Sequence, residues 1–129
     1  MPRKPSAQPN DVELAILRAL WDLGPSSVRD IHEKLNRDRD TGYTSTAKIM
    51  QIMTDKGLLT RDDSNRPQLY SPAVPQEQTQ KQIVRYLIQK VFGGSAHKLV
   101  LRAVESDKLP PDEVAAIRKL LKKMEEDKS

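Results

Sequence analysis

Apolar residues return along the first part of the chain at helical spacing. Leu14, Leu17, Leu20 and Trp21 fall at i, i+3, i+6 and i+7, one face of a helix. Asn10 and Glu13 have the spacing of a capping box, so this helix is predicted to start at Asn10, and Gly24-Pro25 ends it. Ser27 with Asp30 opens a second, shorter helix that turns Val28, Ile31 and Leu35 inward. The alternating charges between Asn36 and Gly42 read as a solvated connection. A third helix is predicted from near Thr44 to Gly57, with Ile49, Met50 and Met53 as its inward row.

The period then changes. Leu58-Leu59-Thr60-Arg61 and Gln68-Leu69-Tyr70-Ser71 are short strand-like runs around the polar turn Asp62 to Pro67, which reads as a β-hairpin. Pro72 and Pro75 punctuate the chain, and the helical period resumes beyond them. Ile83, Val84, Leu87, Ile88, Val91 and Phe92 form a broad apolar stripe that Gly93-Gly94 breaks. Leu99, Val100, Leu101 and Val104 form a second. Pro110-Pro111-Asp112 opens a last helix carrying Val114, Ile117, Leu120, Leu121 and Met124. The fold class is therefore mainly α with a small β-hairpin: an N-terminal winged helix-turn-helix and a C-terminal helical segment. We divide it into a polar, proline-containing arm over 1–9, a winged-helix domain over 10–75 and a helical dimerisation domain over 76–129.

Composition narrows the chemistry more than it names a partner. Hydrophobic residues make up 36% and charged residues 31%, which suits a small globular protein with a large helical surface. With no cysteine, disulfide scaffolds, thiol catalysis and thiolate metal sites are excluded. No apolar run is long enough to span a membrane and the first residues have no signal-peptide core, so the expected compartment is the cytoplasm. His32 and His97 have no metal-ligand neighbours at useful spacing, and read as surface or packing histidines. No nucleophile elbow, phosphate loop or glycine-rich fingerprint occurs, so no enzyme, catalytic residue, metal site or cofactor is expected. Trp21, three tyrosines and Phe92 are too few aromatics for a single-strand stacking platform. The net charge of +4 permits a nucleic-acid partner. It is unevenly informative, because residues 1–75 carry 11 Lys and Arg against 10 Asp and Glu, and residues 76–129 carry 11 against 8.

Architecture therefore carries the functional reading. The third helix is roughly 20 Å long at about 1.5 Å per residue, enough to lie in a DNA major groove. Its first turns offer Thr44, Ser45, Thr46 and Lys48, groups suited to base edges and phosphates at the N-terminal end of a recognition helix. Helix capping is the other use of Thr44 or Ser45. A wing would apply Arg61, Arg66, Ser64 and Asn65 to phosphates or the minor groove; an ordinary polar turn is the alternative, and Asp62 and Asp63 oppose close phosphate approach. Arg3 and Lys4 on the arm are weaker candidates. In the C-terminal segment Leu87, Val91, Phe92, Leu99, Val100, Leu101, Val104, Ile117, Leu120 and Leu121 belong to faces too wide for so short a segment to bury internally. Pairing two copies would cover them and set two recognition helices one DNA turn, or a multiple, apart. A winged helix that binds protein rather than DNA remains the alternative function.

With these residues laid out, the sequence resembles the penicillinase-repressor family of bacterial regulators, the BlaI/MecI/CopY group. The family pattern Y-T-T-V-x-x-x-L-x-x-L-x-x-K-G-L is similar to Tyr43-Thr44-Ser45-Thr46 through Met50, Met53 and Lys56-Gly57-Leu58. Its L-W-x-x-G-P looks like Leu20-Trp21-Asp22-Leu23-Gly24-Pro25, its Tyr-Ser-Pro like Tyr70-Ser71-Pro72, and its F-x-G-S-x-x-x-L-V-L like Phe92-Gly93-Gly94-Ser95 with Leu99-Val100-Leu101. The resemblance implies a homodimeric repressor of a palindromic operator of β-lactamase or other stress-response genes, with Thr44, Ser45, Ala47 and Lys48 where family members touch DNA. Ala47 offers only a methyl, and Ile52 stands where many members carry arginine. In members that answer β-lactams a membrane sensor protease cuts the dimerisation segment; the matching bond is Arg102-Ala103, without the Asn-Phe pair of staphylococcal members. Copper-responsive members use a C-terminal cysteine cluster, and this chain has none.

Overall fold

The computed structural model describes residues 8–35, 42–64, 66–106 and 108–127. The elements run α1 (Asp11–Leu23), α2 (Val28–Leu35), α3 (Tyr43–Asp55), β1 (Leu59–Asp62), β2 (Leu69–Pro72), α4 (Gln76–Lys90), α5 (Ala96–Ser106) and α6 (Pro111–Asp127). Two compact units divide within α4, one ending at Tyr86 and the other beginning at Leu87. The arm residues Arg3 and Lys4, the connection over 36–41 and the wing residue Asn65 lie outside the described residues.

Local side-chain chemistry starts the first two helices. The Asn10 side chain accepts the Glu13 N–H at 2.9 Å, and the Glu13 carboxylate accepts the Asn10 N–H at 3.0 Å. Ser27 and Asp30 repeat the exchange ahead of α2, at 3.2 and 3.3 Å. The end of α3 is fixed by Gly57, whose φ of 83° is left-handed. Its N–H reaches the Thr54 carbonyl at 3.1 Å and the Leu58 N–H reaches that of Met53 at 2.9 Å, the paired bonds of a Schellman turn. Lys56-Gly57-Leu58 is thus a helix stop before it is anything else.

Ile16, Leu17, Ala19, Leu20, Ile31, Met50, Met53, Leu59 and Tyr70 form the core of the first unit. This differs in one respect from the row predicted on α1. Ile16 and Ala19 are buried, while Leu14 and Trp21 are only partly so. The true inward row is Glu13, Ile16, Leu17 and Leu20 at i, i+3, i+4 and i+7, and its charged first member hides it from a search for apolar residues.

The hairpin is antiparallel, with Leu59 opposite Pro72, Thr60 opposite Ser71, Arg61 opposite Tyr70 and Asp62 opposite Leu69. Ser26 adds a one-residue rung on its other side: the Ser26 N–H donates to the Tyr70 carbonyl at 3.0 Å and the Tyr70 N–H to the Ser26 carbonyl at 2.8 Å. Tyr70, buried at its ring and bonded at its backbone, ties the hairpin to the turn between α1 and α2. The result is a winged helix.

In the second unit Gly93 and Gly94 both take left-handed φ and turn the chain from α4 into α5. Ser95 opens α5 by accepting the Lys98 N–H at 3.1 Å. None of the described side chains from Leu87 onward is buried.

Candidate nucleic-acid interface

The helical period of α3 sorts its residues onto two sides. Thr46, Met50 and Met53 are buried at i, i+4 and i+7. Thr44, Ser45, Lys48, Gln51, Ile52 and Asp55 are exposed, and Ala47 is half-buried. Gly42 is the N-cap, in an extended conformation, and makes no side-chain capping bond. Thr44 and Ser45 stand inside the first turn, so neither caps the helix. Among the described residues no capping side chain covers the helix start, where the backbone N–H groups and the macrodipole favour an anion.

Thr46 departs from the predicted site. It is 2% exposed, and its hydroxyl donates to the Gly42 carbonyl at 3.4 Å and lies 3.2 Å from His32 Nδ1. The His32 ring also meets Tyr43 edge-on, with centroids 5.6 Å apart. Helical phase decides this outcome: two positions after the exposed Thr44, a side chain points to the opposite side. Thr46 and His32 therefore position α3 against α2.

The wing is organised by its own acidic residues. Asp62 accepts the backbone N–H of Ser64 at 2.9 Å as well as its hydroxyl, and these bonds hold the Asp62 carboxyl below the usual carboxylate range. Arg61 Nε donates to Asp63 Oδ1 at 2.7 Å, and Arg61 Nη1 donates to Gln51 Oε1 at 2.8 Å. Beside the Tyr70 hydroxyl and the Asp63 carboxylate, the guanidinium is held above even its ordinary range. Arg66 is exposed on the same hairpin turn.

Two contacts are not foreseen from sequence. Gln51 joins α3 to the wing through Arg61, and nothing in its local pattern marks it. Lys56 Nζ bonds Glu13 Oε2 at 2.9 Å, with the Glu13 side chain only 4% exposed. The pair is 43 residues apart, too far for any spacing rule.

In the second unit eight of the ten predicted pairing residues are exposed in the single chain, from 36% at Leu87 to 64% at Val91. Val100, Leu101, Val104, Ile117, Leu120 and Leu121 are exposed, and Phe92 and Leu99 are half-buried. Arg102-Ala103 lies inside α5, with Arg102 paired to Glu105. Among the described residues no group of three or more His, Cys, Asp or Glu could hold a metal, and no helix is long and apolar enough to cross a membrane.

A buried three-helix core with a wing, and an exposed helix face beside that wing, define a winged-helix domain. The penicillinase repressor family matches residues 10–123, and this chain belongs to that family. It is 29% identical over 117 residues to the transcriptional regulator BlaI of Mycobacterium tuberculosis, covering 89% of this chain and 83% of the relative. It is 24% identical over 114 residues to the methicillin resistance regulatory protein MecI of Staphylococcus aureus, covering 88% of this chain and 93% of that one. The MecI of Mammaliicoccus sciuri is 25% identical over the same length.

Proposed function

We propose that this chain is a cytoplasmic, sequence-specific repressor that binds a palindromic DNA operator as a homodimer, and that it needs no cofactor. The observation that carries the reading is the outer face of α3. Thr44, Ser45 and Lys48 are exposed at a helix start whose N-cap is a glycine, while the opposite side of the same helix is locked in the core. Hydroxyls and one cation there match what base edges and phosphates take. Ala47 and Ile52 add apolar atoms of the kind that meet a thymine methyl.

The wing contributes Arg66 to the backbone beside the groove. The exposed apolar faces of α5 and α6 pair two copies, so that two α3 helices address two half-sites. The relatives, a transcriptional regulator and methicillin-resistance regulators, fit an operator before β-lactamase or other stress-response genes. A membrane sensor protease is the inducing partner that family membership suggests. Cutting at Arg102-Ala103 would first require local unwinding of α5.

Mobility shifts with DNA from upstream of the chain's own gene test the proposal. A discrete complex that survives excess random duplex is expected. Equal competition by random duplex would leave a winged helix that recognises protein instead.

A further inference from the structure

We propose that Arg61 is a positioning residue that clamps the wing to α3 through Gln51, and that Arg66 makes the wing's phosphate contact. The inference rests on the DNA-binding reading above and concerns how the two contacting elements are held in register. Guanidinium offers donors in a fixed planar fork. Here one prong, Nε, holds Asp63 at the wing tip and another, Nη1, holds Gln51 on the outer face of α3. Gln51 in turn donates from Nε2 to Asp55 Oδ1 at 3.0 Å, which orients its carbonyl oxygen toward Arg61. Three hydrogen bonds thus run from the wing turn to the C-terminal end of α3.

Two features make this bracket more than a surface ion pair. Arg61 stands opposite Tyr70, whose ring is in the core and whose backbone is bonded to Ser26, so the strand bearing the guanidinium is itself fixed. A phosphate would also have to compete with Asp63 for the same charge, whereas the exposed Arg66 sits on the turn between the strands. The Asp63 carboxylate, which alone would repel DNA, is neutralised by the same pairing. Lysine retains the charge of Arg61 but cannot hold two acceptors in one plane.

The test uses the full chain and the duplex it enriches most strongly from a randomised pool. Arg61→Lys, Arg61→Ala and Gln51→Ala should each weaken binding about five-fold, as loss of one or two exposed hydrogen bonds would, without changing the dependence of log K on log salt. Arg61→Lys combined with Gln51→Ala should lose no more than either alone, because both break one bracket. Arg66→Ala should reduce the salt slope by about 0.9, the signature of one lost phosphate contact. In the DNA-free chain, amide relaxation of Asp63, Ser64, Arg66 and Gln68 should report a more mobile wing in Arg61→Lys and Gln51→Ala. Wild-type affinity in Arg61→Lys, or a shallower salt slope in Arg61→Ala, would show a phosphate contact and overturn the inference. Failure of the wild-type chain to enrich any duplex would overturn the parent reading and this one with it, whereas an unaltered wing in the free variants would overturn this one alone.

Discussion

Glu13 divides its two oxygens between two tasks. Oε1 closes the capping box on the Asn10 N–H, and Oε2 accepts from Lys56 at the end of α3. Glu13 is nearly buried and the Lys56 side chain is 41% exposed, so loss of one partner is not equivalent to loss of the other. Glu13→Gln keeps the capping acceptor and releases a lysine that water can solvate; it should cost about 1–3 kcal/mol. Lys56→Met leaves a buried carboxylate without its cation and should cost more. Urea denaturation of both variants checks the order, and equal losses would argue against the burial asymmetry. At Lys48, replacement by alanine should weaken operator binding by on the order of 1–3 kcal/mol if the ammonium reads a base. Fluorescence anisotropy at fixed salt checks this, and unchanged affinity would remove Lys48 from the interface.

At the scale of elements, what could be read from the sequence was local. The exchanges Asn10/Glu13 and Ser27/Asp30, the stop at Gly57 and the hairpin turn are all encoded within a few residues. Contacts between elements were not: the Ser26–Tyr70 rung, the Glu13–Lys56 pair and the Gln51–Arg61 bond join residues 10 to 44 positions apart, and no periodicity relates them. Thr46 is the instructive failure within the candidate site. Its residue type suggested DNA contact, but helical phase turned it inward to His32 and the Gly42 carbonyl. Valine has the shape of threonine without the hydroxyl. Thr46→Val should therefore lower stability by about 0.5–1.5 kcal/mol while leaving the exposed Thr44 and Ser45 in place. Calorimetry measures the first part; a gain in stability would mean that the buried hydroxyl is poorly satisfied.

For the whole molecule the contrast lies between a unit that closes its own core and a helical unit none of whose described side chains is fully buried in the single chain. Val100, Leu101, Val104, Leu120 and Leu121 are apolar and solvent-exposed in the single chain. Exposed apolar faces of that extent mark an interaction surface. Leu120 is 58% exposed, so aspartate there should spare the fold of one chain and still place a charge in the proposed pairing interface. Sedimentation equilibrium should show Leu120→Asp as a monomer with native helicity; an intact dimer would move the interface elsewhere. The apolar stripes themselves were legible in the sequence, and the structure leaves most of their residues exposed in the single chain. Bulk charge was uninformative, since residues 1–75 are close to neutral and the argument depends on which face carries each side chain.

The most direct measurement of the central claim is an anisotropy titration of the full chain against its enriched duplex and against a base-shuffled duplex of the same composition. Two chains per enriched duplex, an affinity at least about a thousand-fold above the shuffled one and a steep loss with salt are predicted. Equal affinity for the two duplexes would contradict sequence-specific repression.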